Sequence, residues 1–123
     1  MSDEQPQVLS ARTKAFALRI IRLYSALPKT AVAQVIGKQV LRSGTSVGAH
    51  YREARRAKSN ADFINGMEGG LQELDETAYW IELLVESGVA TRERLHPLLN
   101  ETEELIAILV TMVKKVKSKK AKT

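Results

Sequence analysis

Cysteine is absent from the 123 residues, and aromatic residues make up only 5% of them. The first absence excludes a disulfide scaffold, thiolate metal sites and a cysteine nucleophile. The second leaves a core built from aliphatic side chains, since hydrophobic residues still reach 44%. The length suits one domain that buries its own core. No apolar run approaches the roughly 18 residues that a membrane span needs. The polar start Met1-Ser2-Asp3-Glu4 does not read as a signal peptide, so a cytoplasmic protein is expected. Sustained period-two alternation is also missing, and no strand is predicted.

Charge of one sign is scarce in each half of the chain in turn. Residues 1–59 hold 11 Lys/Arg against 3 acids, a net +8, and residues 60–113 hold 2 against 11, a net −9. Residues 114–123 add six lysines and no acid, which restores the overall +5. Without that tail the body is −1, so the total does not describe a uniformly basic protein.

With only 3 prolines and 7 glycines, apolar residues recur at helical spacing almost throughout. Phe16, Ile20, Leu23, Tyr24 and Leu27 mark one helix face that Pro28 ends. Val32, Ile36, Val40, Ser43, Val47, Tyr51 and Ala54 mark a second. Phe63, Met67, Leu71, Leu74, Ala78, Ile81 and Val85 mark a third, ended by Ser87-Gly88. Leu95, Leu98, Thr102, Leu105, Leu109, Met112 and Val116 mark a fourth at strict heptad spacing. Connections near 28–30, 58–60 and 87–92 are short enough to force antiparallel neighbours. The expected fold is all-α, an antiparallel up-down-up-down four-helix bundle over 10–117. Residues 1–9 are expected to be disordered or frayed, and 118–123 to form a lysine-rich tail outside the bundle. Ser43-Gly44-Thr45-Ser46-Val47-Gly48 read alone is a loop, and Gly66, Gly69 and Gly70 weaken the third helix. Either the helices run through these residues, with Gly48 about opposite Gly70 where two backbones approach, or one of them breaks. Pro97 either kinks the fourth helix or marks its true first turn.

The run Ile36-Gly37-Lys38-Gln39-Val40-Leu41-Arg42-Ser43-Gly44-Thr45-Ser46-Val47-Gly48-Ala49-His50-Tyr51-Arg52-Glu53-Ala54 resembles the central signature of a bacterial four-helix-bundle family. That family was named for open reading frames in intervening sequences of 23S ribosomal RNA genes. Lys58-Ser59, Asp62-Phe63 and the stretch from Glu73 to Trp80 resemble its next blocks. The likeness spans roughly residues 12 to 113 and is specific from 36 to 63. It implies a helical bundle assembled into a homo-oligomeric ring, usually a pentamer, with no known reaction. A relative in diversity-generating retroelements is a basic accessory protein that engages nucleic acid and a reverse transcriptase. Two departures stand out: His50 replaces a more usual asparagine, and Gly66, Gly69 and Gly70 replace better helix formers.

Catalytic constellations are weak. Glu93-Arg94-Leu95-His96 is a single Glu-x-x-His, whereas di-iron bundles need two copies plus further glutamates. Ser46 and His50 stand four apart, with Glu53 the nearest acid, but nothing signals an oxyanion hole or a strained nucleophile turn. The glycines match no phosphate loop or dinucleotide fingerprint. No enzyme activity, cofactor or metal is expected.

The basic residues of the second helix are more informative. Lys38, Arg42, Arg52 and Arg56 project away from the core wedge, and Arg55 and Lys58 broaden the patch toward the helix end. Such a row can track RNA or DNA phosphates, although a charged face opposite a core is also simply a solvated face. No aromatic interleaves with the row, so stacking of single-stranded bases is not indicated. The tail lysines attract any polyanion and also solubilise a helix end. On the third helix Tyr79 and Trp80 lie outside the core stripe, and on the fourth Leu99, Ile106, Ile108, Val110 and Val113 widen the apolar arc beyond one seam. These seven residues are the expected contact with further copies of the chain, with basic and acidic halves meeting head to tail. A ring that serves only a protein partner is the alternative function.

Overall fold

The structure, a computed structural model, describes the backbone of residues 6–122 and the side chains of 7–119. Four helices follow one another: α1 Pro6–Ala26, α2 Ala31–Arg55, α3 Asn60–Glu86 and α4 Arg92–Lys122. Each start has a sequence cause. The hydroxyls of Thr30, Ser59 and Thr91 accept from the amides of Ala33, Asp62 and Arg94 at 3.3, 3.1 and 3.2 Å, satisfying a first-turn N–H in each case. Pro6 opens α1, where a missing amide hydrogen costs nothing. At the end of α3, Gly88 takes φ +81°; its amide donates to Val85 O and that of Val89 to Leu84 O. This pairing closes the helix on its own last carbonyls, and a glycine supplies the left-handed backbone without strain.

The four- or five-residue connections make neighbouring helices antiparallel, giving the up-down-up-down bundle. α2 packs most extensively on α3, α1 on α2, and α4 on α3. Phe16, Ile20, Val40, Val47, Met67, Leu74, Ile81, Leu84, Leu105 and Leu109 are at most 1% exposed and fill the centre. Burying each such side chain is worth about 1.5–3 kcal/mol before chain entropy is charged against it. Across the remaining gap, Arg12 of α1 reaches α4. Its Nε and Nη2 each donate to Glu101 at 2.8 Å, and Nη2 also donates to Glu104 at 2.6 Å. These hydrogen bonds hold the Glu101 carboxyl below its ordinary range, against the opposing effect of partial burial.

α2 and α3 run unbroken through their glycines because small residues are what these seams require. A methyl on Gly66 would lie 3.0 Å from Ala54 Cβ and 3.1 Å from its backbone, so the two helices touch there almost main chain to main chain. The hairpin register brings Gly70 to the level of Gly48, with an added methyl 3.6 Å from His50 Cβ and 3.9 Å from Val47 O, but Gly48 itself faces Thr13 of α1 and Gly70 is nearest Leu109 of α4. The α2 glycines therefore serve the seam with α1, Gly66 and Gly69 the seam of α3 with α2, and Gly70 lies between α2 and α4.

Two boundaries and two core positions differ from the sequence reading. α1 begins at Pro6 rather than near 10, because Leu9 is in phase with Phe16 and is fully buried. Residues 1–5, the rest of the expected frayed segment, lie outside the described residues. α4 continues helically to Lys122, beyond the expected limit at 117, and starts at Arg92, which places Pro97 in its second turn. Val32 is 53% exposed while Ala33 takes its place inside. On α4 the buried set ends on Val113 instead of Met112. A strict heptad stripe drifts about 20° per repeat on a straight helix, and three repeats carry position 112 off the seam and 113 onto it.

Candidate nucleic-acid interface

The final turns of α2 present Arg52 and Arg56 to solvent, and Lys58 follows in the link to α3. Arg52 and Arg55 also sit where cations complement the negative end of the helix dipole. Among the described residues no ion pair reaches Arg52, Arg56 or Lys58. These three line an open groove of about 810 Å³ that also takes in Glu53, Asp62 and Asn65. Three cations against two carboxylates leave it net positive.

The antiparallel order brings a second basic segment to the same end. Met112 and Val116 of α4 line a neighbouring groove of about 530 Å³ together with Arg55 of α2 and Lys58 of the link. The exposed Lys114, Lys115, Lys117 and Lys119 therefore extend from the end of the bundle that carries the α2 cluster. Lys117 Nζ lies 3.3 Å from Glu68, an exposed contact that water weakens. Residues 57 positions apart in sequence thus form one basic pole. Nothing in local pattern reports this, because it depends on how many times the chain reverses between them.

Arg42 and Lys38 of the expected row do not join that pole, whereas Arg55 does. Arg42 donates to Glu76 at 2.6 Å and to both oxygens of Glu73 at 3.3 and 3.4 Å, so α3 supplies the acids that α2 lacks. Lys38 is exposed but stands 14 residues before Arg52 on the helix, roughly 20 Å away. Arg55 gives one donor to Ser10 Oγ at 2.7 Å.

Ser46 and His50 form no pair, since Ser46 Oγ donates to Arg42 O at 2.6 Å. His50 instead lies between two carboxylates, with Nδ1 3.9 Å from Glu53 and Nε2 3.6 Å from Glu73. His96 contacts Asn100 at 3.2 Å, and among the described residues no group of three or more His, Asp or Glu is placed to hold a metal ion.

Of the expected assembly residues, Tyr79 is 54% exposed, with its ring 5.0 Å from that of Trp80 at 66°. Trp80 is partly buried, and its indole N–H has no acceptor among the described residues. Leu99, Ile106 and Ile108 are half-buried against the core, and Val110 is half-buried as well. Val113 lies inside the chain's own core and leaves the candidate surface. The sequence reading missed Leu18, Ile21, Val32 and Val35, exposed by 42–64% on α1 and α2. Leu18 and Ile21 fall outside the Phe16–Ile20–Leu23 stripe, a signal present but unused.

The arrangement of four helices around this core has counterparts. The profile of the 23S rRNA-intervening sequence protein family matches residues 7–111. The chain belongs to this family. Among solved structures it is similar to a protein of unknown function from the S23 ribosomal protein family of Bacteroides thetaiotaomicron. The two share 41% identity over 89% of this chain and 97% of that one, with a TM-score of 0.83. No curated protein matches the chain. The match spans both departures noted above, so His50 and the α3 glycines are accommodated within the family fold. No helix among the described residues is long and apolar enough to cross a membrane.

Proposed function

We propose that the chain is a non-enzymatic, cytoplasmic protein that assembles with further copies of itself into a ring and binds RNA or DNA backbones at its basic pole. One observation carries the binding claim: Arg52, Arg56 and Lys58, none of them in an ion pair among the described residues, share an end of the bundle with the α4 lysines. Clustered cations without internal partners release counterions when they meet phosphates, so binding weakens steeply with salt. Replacing all three with glutamine removes about three contacts. At roughly 0.9 per contact, the slope of log affinity against log salt should flatten by about 2.7. An unchanged slope overturns the binding claim.

Assembly is supported by the exposed apolar side chains Leu18, Ile21, Val32, Val35 and Tyr79. The same side chains favour a second reading, a ring that serves a protein partner and has no nucleic-acid role. Light scattering separates the parts. A monomer at working concentration removes the ring from both readings, and a ring that purifies free of nucleic acid and binds none leaves the scaffold.

A further inference from the structure

We infer that the groove between the α2–α3 link and the end of α4 seats an unpaired nucleobase, which makes the polyanion single-stranded. This rests on the nucleic-acid reading above and narrows it. The floor of the groove is apolar and comes from three helices: the buried Tyr51 and Ala54 of α2, with the partly buried Phe63 of α3 and Met112 and Val116 of α4. The rim is cationic and polar: Arg55 and Lys58 from α2 and its link, and Asn60 at the start of α3. Arg55 uses one of its five N–H donors on Ser10, which leaves four for an anion.

A ligand that matches this order of surfaces has a flat body with apolar faces and phosphates attached at its edge. A duplex offers only the phosphates, because its bases are stacked on one another inside. Bases of a single strand can leave the stack and rest on an aromatic ring while their phosphates meet the cations. Asn60 on the rim carries both a donor and an acceptor, the groups that a base edge pairs with. Lys58 also lines the neighbouring groove with Arg52 and Arg56, so a strand seated at Phe63 can continue into that net-positive cluster. The exposed basic row of α2 has no aromatic within it, and Phe63 of the next helix supplies one beside it.

Fluorescence anisotropy tests this on the full chain with a labelled oligo(dT) 12-mer, oligo(U) of the same length, and a duplex of that length, all at one salt concentration. The single strands are expected to bind more tightly than the duplex. Phe63→Leu keeps apolar volume but removes the ring, and should weaken single-strand binding about five-fold or more while leaving duplex binding unchanged. Phe63→Tyr should restore it. Equal or tighter binding of the duplex by the natural chain overturns the inference, as does an equal loss on both ligands in Phe63→Leu. Should that variant fail to fold, photocrosslinking of bromouracil-substituted oligonucleotide to the natural chain decides. Adducts on the peptides holding Phe63 or Met112 support the site, and adducts confined to other peptides overturn it. The two levels fail differently. If the Arg52, Arg56 and Lys58 glutamine variant binds as well as the natural chain, the nucleic-acid reading itself falls. If that variant loses binding while Phe63→Leu keeps it, only the base-seating inference falls.

Discussion

Gly44→Ala isolates what the small residues of α2 contribute. In an exposed helix this change stabilises by about 1 kcal/mol, because alanine loses less backbone entropy than glycine. Here the added methyl lies 2.6 Å from Ile20 Cγ1 and 2.9 Å from both Cδ1 and Cγ2. All three atoms belong to a fully buried, β-branched side chain with little rotamer freedom. Forcing extra volume into such a site costs about 1–3 kcal/mol, so the net effect is a destabilisation of about 1 kcal/mol. The melting temperature of a domain this size should fall by roughly 3–6 °C. Ile20→Ala removes the three clashing atoms and alone should cost about 3 kcal/mol through the cavity it leaves. Combined, the two changes are complementary, since the methyl at position 44 enters space that Ile20 has vacated. The double variant should therefore be more stable than the sum of the singles predicts, by about 1–2 kcal/mol. Urea unfolding followed by circular dichroism, at fixed protein concentration, measures all four corners of this cycle. Additivity within about 0.5 kcal/mol would refute the packing argument, and so would a Gly44→Ala variant that gains the full helix-propensity benefit.

Glu101 predicts an acid-sensitive α1–α4 contact. Its carboxyl is lowered by Arg12, so its contribution is complete above its unfolded value near 4.5 and disappears as pH falls through the folded value. Between pH 7 and pH 3 the natural chain should lose about 1 kcal/mol more stability than Glu101→Gln, and equal losses would remove the assignment. Gly88→Ala should destabilise by about 1 kcal/mol although nothing lies within 4 Å of the new methyl, since the cost is wholly in the positive φ; denaturation midpoints test this. Arg42→Gln should leave the salt dependence of nucleic-acid binding nearly intact, whereas Arg52→Gln lowers its slope by about 0.7 on a single strand, because only the first side chain is already paired with Glu73 and Glu76.

The helices were legible because each is held by a long apolar stripe, and periodicity survives individual poor residues such as Gly44 or Gly70. What eluded the pattern was angular detail. A one-position error separates Val32 from Ala33 and Met112 from Val113, and only the packing of neighbours decides between them. The candidate site was half legible. Arg52, Arg56 and Lys58 stand out in sequence, but Arg42 looked equivalent to them because its partners are 31 and 34 residues away on another helix. The place of Phe63 beside Arg55 could not be seen either. The two are only eight residues apart, yet they belong to different helices and different stripes.

Each helix of the bundle packs chiefly on the one that precedes or follows it in the chain, and α1 meets α4 mainly through Arg12. Such a topology is rich in local contacts, and chains of this kind cross their folding barrier early and quickly. The α2–α3 hairpin, with the broadest seam and a four-residue link, is the natural nucleus. Closure of α1 onto α4 comes after the barrier, because it joins groups 89 positions apart. Loosening that contact therefore changes how long the folded chain survives, not how fast it forms: Arg12→Gln should accelerate unfolding and leave the folding rate untouched.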